Sequence, residues 1–377
     1  MEKQWAMIWH QAMTQSFLNG KAFGKNRTAA FQICSPSDGE QIRLRFSNRF
    51  AKYPYEIGAV TIVSEGRPMP VTLNGRKTFS IPPVGTVFSD PVSLSFHPGD
   101  RLEIRLYYIN EILDNNMIEE EATLLNGDQT KAAGPLPFRK PLLATMLGAY
   151  AGIPALEAVE ILAIDPPQAI VAFGDSITAM SRWTKPLAHR LAETYPGEYA
   201  LLNSGISGNC LLIERGGIFG PVFGASGVNR FRQDVLSIPR LHAVIFALGV
   251  NDVASIYEKD GADITLDNFR DAVTDMSRQL HERGVRVIIQ TITPRLGVSR
   301  TMGRYTAEME QLRLAFNSWI RTTDIFDYVF DAEEAVSETK TDGLYFAEGL
   351  HQGDRLHPNA DGGRKLADAY DLTALTG

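Results

Sequence analysis

The residues best suited to chemistry fall in four short blocks along the chain. These are Phe173-Gly174-Asp175-Ser176-Ile177-Thr178, Asn203-Ser204-Gly205-Ile206-Ser207-Gly208-Asn209, Gly249-Val250-Asn251-Asp252 and Asp354-Arg355-Leu356-His357-Pro358-Asn359. A serine hydroxyl becomes a competent nucleophile when a histidine removes its proton and a carboxylate fixes the histidine tautomer. Asp354 and His357 stand three positions apart, so one short turn can supply both. Gly174 allows a tight turn, and Ser176 then sits at a strand end beside a helix N-terminus. There its hydroxyl is accessible and its N–H can face a developing oxyanion. Each block alone has a plainer reading: Ser176 as a helix cap, Gly208 as a turn glycine, Asn251 as an Asx-turn residue. The chemistry rests on their joint occurrence, each where a loop leaves the same sheet edge.

Other residues near these blocks divide between roles. Asp175 and Asp252 read as carboxylates that brace their turns. His351, Asp354 and His357 recur at intervals of three, a spacing that also suits a divalent cation, so a metal-dependent hydrolase is one alternative. The Pro-Asn after His357 and the upstream serine block favour the serine reading, with His351 on the pocket rim. Residues 211–234 are glycine-rich and carry Phe219, Phe223, Arg230 and Arg232. They are read either as walls of the acyl and alcohol pockets or as a surface loop. Trp183 lines the site or fills the core. The expected substrate pocket is thus Trp183, Asn209, Phe223, Arg230 and His351, with Cys210 as packing.

Two kinds of elements must position these groups. Up to about residue 110, apolar residues alternate with polar ones, as in Ile42-Leu44-Phe46, Val92-Leu94-Phe96 and Leu102-Ile104-Leu106. Turn signals such as Asn74-Gly75 and Pro98-Gly99-Asp100 separate them, which predicts an antiparallel β-sandwich. Residues 111–165 read as a less regular connector. It holds a solvated acidic run at 119–121 and an apolar stretch, 142–156, suited to a docking helix, a subunit contact or a pocket wall. From about residue 166 the pattern becomes α/β. Continuous apolar runs at 169–173, 243–248 and 285–289 alternate with helical stretches, one of them presenting Leu266, Phe269, Val273, Met276 and Leu280 on one face. Such units give a parallel sheet with chemistry beyond the strand C-terminal ends. The expected division is a β-sandwich over 1–135, a connector over 136–165 and a catalytic α/β domain over 166–377.

The 377 residues carry a formal net charge of -7, which disfavours nucleic acid and anionic membrane surfaces as partners. The start, Met-Glu-Lys-Gln-Trp, lacks a secretory pattern and no apolar run spans a bilayer, so a cytoplasmic location is expected. Two distant cysteines, Cys34 and Cys210, read as buried free thiols.

The four blocks, in this order, resemble those of the SGNH, or GDSL-type, hydrolase superfamily of esterases and lipases, over roughly residues 166–377. The resemblance implies a flavodoxin-like three-layer α/β/α domain. It assigns Ser176 as nucleophile, His357 as general base, Asp354 as its orienting acid, and Ser176, Gly208 and Asn251 as the oxyanion hole. Ile177-Thr178 departs from the Ser-Leu of the family block without removing a catalytic group. The first half resembles the jelly-roll-like sandwich that precedes some carbohydrate acetylesterases. The implied activity is deacetylation of acetylated oligosaccharides through an acyl-enzyme, with no metal or organic cofactor. The alternatives are a general short-chain esterase or lipase-like hydrolase and an inactive carbohydrate-binding protein. A homo-oligomer is compatible with the sequence.

Overall fold

The computed structural model describes residues 2–15, 24–116, 122–132, 134, 136, 153–299 and 303–377. The acidic run at 119–121 and the apolar stretch from 142 to 152 lie outside the described residues. The chain divides into two units, residues 1–168 with 194–202 and residues 169–193 with 203–377.

The first unit is built from antiparallel sheets. One runs in the order Gln4–His10, Leu156–Ala163, Gly39–Asn48, Gly85–Phe88, with Val92–Phe96 also paired to Gly39–Asn48. Another runs Thr123–Asn126, Arg27–Cys34, Arg101–Tyr108, Tyr55–Ser64, Arg67–Pro70, with Phe79–Ile81 on Tyr55–Ser64. The alternation read from the sequence sets the inward faces: Ile42, Leu44, Phe46, Leu102, Ile104 and Leu106 are all fully buried in one apolar cluster. Asn74 and Gly75 both take positive φ between Leu73 and Arg76, whose backbones bond each other as in a two-residue hairpin.

The connector reading needs correction over residues 156–163, which form a strand paired on both sides. Its second face carries Glu157 and Glu160, which meet Arg45 at 3.1 Å and Arg43 at 2.8 Å from the neighbouring strand. A register shift between Leu156 and Ala158 breaks the period of two. Acidic residues paired with arginines more than 100 positions away hid the strand from local patterning. The expectation of two buried thiols also fails at Cys34, which is exposed near a strand end; Cys210 is buried.

A five-stranded sheet, most of it in the second unit, consists of β1 (Gln168–Gly174), β2 (Tyr199–Gly205), β3 (Leu241–Ala247), β4 (Arg286–Gln290) and β5 (Tyr328–Phe330), in the order β2-β1-β3-β4-β5. The β1–β3, β3–β4 and β4–β5 pairs are parallel. Strands buried on both faces need helices on each side, and the helix Leu266–His281 buries Phe269, Val273, Met276 and Leu280 as its periodicity predicts. Thr265 caps it by accepting the Asn268 N–H. In this order the chain leaves β1 toward one edge and returns to the other side at β3. The crevice beyond the C-terminal ends of β1 and β3 is where such sheets bind ligands. Among the described residues, no helix is long and apolar enough to cross a membrane.

Candidate active site

Ser176 begins a four-residue helix, Ser176–Ala179, directly after β1. Asp175 caps that helix by accepting the Ile177 N–H at 3.0 Å, which is the bracing task read from the sequence. Burial drives the Asp175 carboxyl up to about 7, opposed by that hydrogen bond and by the field of His357. The serine Oγ lies 2.9 Å from His357 Nε2, although 181 positions separate the two residues.

The turn that carries His357 is held from several directions. Asp354 Oδ1 accepts the N–H groups of Leu356 and His357, each at 3.0 Å, and Oδ2 accepts from His357 Nδ1 at 2.6 Å. Burial pushes the Asp354 carboxyl up, but the His357 hydrogen bond and charge, with the two backbone donors, outweigh it and hold the group at about 2. Arg355, between them, takes φ of 56°, a costly conformation held in place by its surroundings. His351 Nδ1 accepts the N–H groups of Gly353 at 2.9 Å and Arg355 at 3.3 Å. Asn359 caps the helix Ala360–Ala369 through Oδ1 and donates from Nδ2 to the Gly349 and His351 carbonyls.

His351 therefore closes the turn, and the expectation of a pocket-rim histidine is corrected. It is only 9% exposed and works through backbone bonds. The His351/Asp354/His357 spacing does not gather around one point either, since His351 accepts backbone protons and His357 faces Ser176. Among the described residues, no group of three His, Cys, Asp or Glu side chains is arranged to hold a metal.

The other two blocks border the same crevice. Gly208 has φ of 76°, and a β-carbon there would run into the Phe223 ring, so only glycine fits. Neither Ser176 nor Gly208 has a backbone N–H acceptor among the described residues. Gly249, at φ of 122°, turns the chain into the helix Val250–Ala254; a β-carbon would sit 2.7 Å from Ile292. Asn251 Nδ2 donates to the Asn209 carbonyl at 3.1 Å, and an amide NH₂ has a second hydrogen to give. Asp252 is fully buried and accepts the N–H groups of Leu211 at 2.8 Å and Leu212 at 2.9 Å, a brace as expected. Burial moves its carboxyl up to about 6.

Three pocket expectations are corrected. Trp183 is fully buried and stacks on Tyr370 at 5.7 Å between ring centroids, so it is core. Arg230, 5% exposed, lies over the Phe173 ring and donates to the Gly174 carbonyl at 2.9 Å, the Ser204 carbonyl at 2.8 Å and Asn209 Oδ1 at 2.9 Å. Asn209 spends its amide donors on the Phe223 and Ala225 carbonyls. These two residues tie the end of β1, the end of β2 and the Gly208 loop into one network, which reaches Asn251 through the Asn209 carbonyl. Phe223 is half-buried between Gly208 and the Arg215 guanidinium, whose carbon lies 4.4 Å above the ring.

Two residues carried no role in the sequence reading. Asn203, a polar residue near the end of β2, donates to the Thr178 carbonyl at 2.8 Å and Ser181 Oγ at 3.0 Å, fixing the turn that carries Ser176. Arg295 follows β4, and its cationic side chain in a buried loop was the available signal.

No curated protein matches the chain. Structural similarity extends to an acetylxylan esterase from Geobacillus stearothermophilus, at 19% identity over 57% of this chain and 96% of that one, TM-score 0.39. It extends also to a GDSL-like lipase from Bacteroides thetaiotaomicron, at 18% identity over 55% and 87%, TM-score 0.39. The profile of the GDSL-like lipase/acylhydrolase family matches residues 172–365, more than half of the chain and all four blocks. The chain belongs to the GDSL-like lipase/acylhydrolase family.

Proposed function

We propose that the protein is a serine ester hydrolase working through an acyl-enzyme. The observation that carries this reading is the line of hydrogen bonds from Ser176 Oγ through His357 to Asp354, 2.9 Å and 2.6 Å long. With Nδ1–H given to Asp354, the neutral imidazole keeps its Nε2 lone pair for the serine proton. His357 takes that proton as Oγ attacks the ester carbonyl, then returns it to the leaving alcohol; water repeats the cycle on the acyl-enzyme. The Ser176 and Gly208 N–H groups and the Asn251 amide receive the oxyanion, each donor contributing about 10²–10³ in kcat.

For the substrate we infer a short acyl group on a sugar, from the resemblance to two-domain carbohydrate acetylesterases, whose β-sandwich the antiparallel first unit resembles. Acetate release from acetylated xylo-, manno- and pectin-derived oligosaccharides, beside p-nitrophenyl esters of rising chain length, tests it. A sugar acetylesterase favours the oligosaccharides, and a general esterase the activated esters. Ser176→Ala and His357→Ala are expected to keep the fold by circular dichroism and to lose nearly all turnover. Wild-type kcat in Ser176→Ala would sink the assignment, and abolition of activity by EDTA would turn it toward the metal alternative. Inactivity on every ester would favour the carbohydrate-binding alternative.

A further inference from the structure

Four arginines of the described structure are almost wholly buried: Arg105, Arg230, Arg295 and Arg313. Three hold a carboxylate: Arg105 pairs with Glu103, Arg230 with Asp234 at 3.1 Å, and Arg313 with Glu310 at 2.6 Å and with Glu333. Arg295, 4% exposed, has no carboxylate within ion-pair distance among the described residues. Among the described residues its Nε is buried without a partner, and the one hydrogen bond its side chain makes is a long one, from Nη1 to the Val250 carbonyl at 3.4 Å. A buried guanidinium left in this state is costly, and a bound anion removes that cost.

Its position connects it to the reaction centre. Arg295 lies in the loop after β4, at the sheet edge that carries Ser176 and Asn251. The Val250 carbonyl it touches belongs to the residue before Asn251. Four residues further on, the Ser299 N–H donates to the Asp354 carbonyl at 2.9 Å. Arg295 thus stands between the turn that presents the Asn251 amide and the turn that presents Asp354. The nearby carboxylates are engaged elsewhere, Asp175 on the Ile177 N–H and Asp354 on His357, and the neighbouring Arg215 is paired with Glu258. The Tyr305 ring, 5.6 Å from the guanidinium carbon, flanks it.

We propose that Arg295 is a recognition site for a carboxylate on the ester substrate. The proposal rests on the ester-hydrolase reading and narrows its substrate class. A planar guanidinium with unspent donors matches a carboxylate in a two-pronged arrangement, whereas a neutral acetylated sugar leaves it unpaired. The carboxylate belongs either to the acyl part, as in a dicarboxylic monoester, or to the alcohol part, as in a uronic acid acylated on a hydroxyl with its carboxylate free.

Steady-state kinetics on the full chain separate these sources. p-Nitrophenyl hydrogen succinate against p-nitrophenyl acetate reads the acyl side, and an acetylated glucuronic acid against the matching acetylated glucose reads the alcohol side. The expected result is a kcat/KM preference of tenfold or more for one acidic member, collapsing toward unity in Arg295→Gln and partly restored in Arg295→Lys. A wild-type protein with neither preference overturns the proposal. So does an Arg295→Gln variant that slows acidic and neutral esters in equal proportion, since that is the signature of a residue supporting Asp354 through its field. Calorimetric titration of succinate and of glucuronate onto wild-type and Arg295→Gln protein reads binding apart from turnover. Arg295-dependent carboxylate binding with no hydrolysis of any ester overturns the ester-hydrolase reading and leaves the Arg295 site standing. Hydrolysis with neither preference nor binding overturns the Arg295 site alone.

Discussion

At Asp354 one carboxylate accepts three hydrogens, two from its own turn and one from the imidazole. An asparagine keeps one acceptor oxygen and turns donors toward Nδ1, selecting the imidazole tautomer that cannot take the serine proton. Asp354→Asn is therefore expected to lower kcat on p-nitrophenyl acetate by on the order of 10⁴-fold, with the fold retained. The same three bonds set a pH dependence. With the folded value at about 2, below the ordinary 3.8, the carboxylate stabilises the protein fully above 3.8, and this is lost as pH falls through about 2. Asp175 runs the other way. Its folded value of about 7 means that its contribution is present below 3.8 and is lost as pH rises toward 7. Asp175→Asn keeps the cap, because an asparagine oxygen also accepts the Ile177 N–H. Thermal melts are expected to place this variant above wild type at about pH 8, with the gap narrowing toward about pH 4.5. At this scale the sequence was informative where a motif names both residue and spacing, as for Ser176, His357 and Asp354. It was uninformative for Trp183 and Arg230, because polarity and size do not say which way a side chain faces.

Among elements, the Gly208 loop shows what side-chain identity alone leaves out. Asn209, the last residue of the Asn203–Asn209 block, and Arg230, in the glycine-rich segment after it, were expected in the substrate pocket. The structure spends their donors on carbonyls of β1, β2 and the neighbouring loop. Asn209→Asp exchanges those amide donors for acceptors and frees the Gly208 turn to shift. A small misplacement of this kind is expected to lower kcat by on the order of 10²-fold while KM stays within a few-fold. A KM rise at constant kcat would instead return Asn209 to the substrate pocket. Helices and parallel strands of this half were legible because their periods are local. The strand Leu156–Ala163 was not, since its glutamates pair with Arg43, Arg45 and Arg49 on and beside a distant strand.

Across the whole molecule, that strand moves the practical boundary of the first unit. Lying between Gln4–His10 and Gly39–Asn48, it supplies an interior position of the sheet and several fully buried residues, Leu156, Val159 and Ile161 among them. A fragment ending at residue 135 lacks it and exposes both neighbouring strand edges. Such a fragment is expected to show poor amide dispersion by NMR, and one ending at residue 165 a dispersed spectrum; equal dispersion in both would put the strand outside the folding unit. Contact between Ser176 and His357 spans 181 positions and closes only when the turn after all five strands of the sheet has docked. Any chain that has formed only part of this sheet carries an ordinary hydroxyl and an ordinary imidazole. On the proposed Ser176–His357 mechanism, hydrolysis is thus a readout of completed assembly, and regain of turnover during refolding is expected to mark the arrival of that last turn.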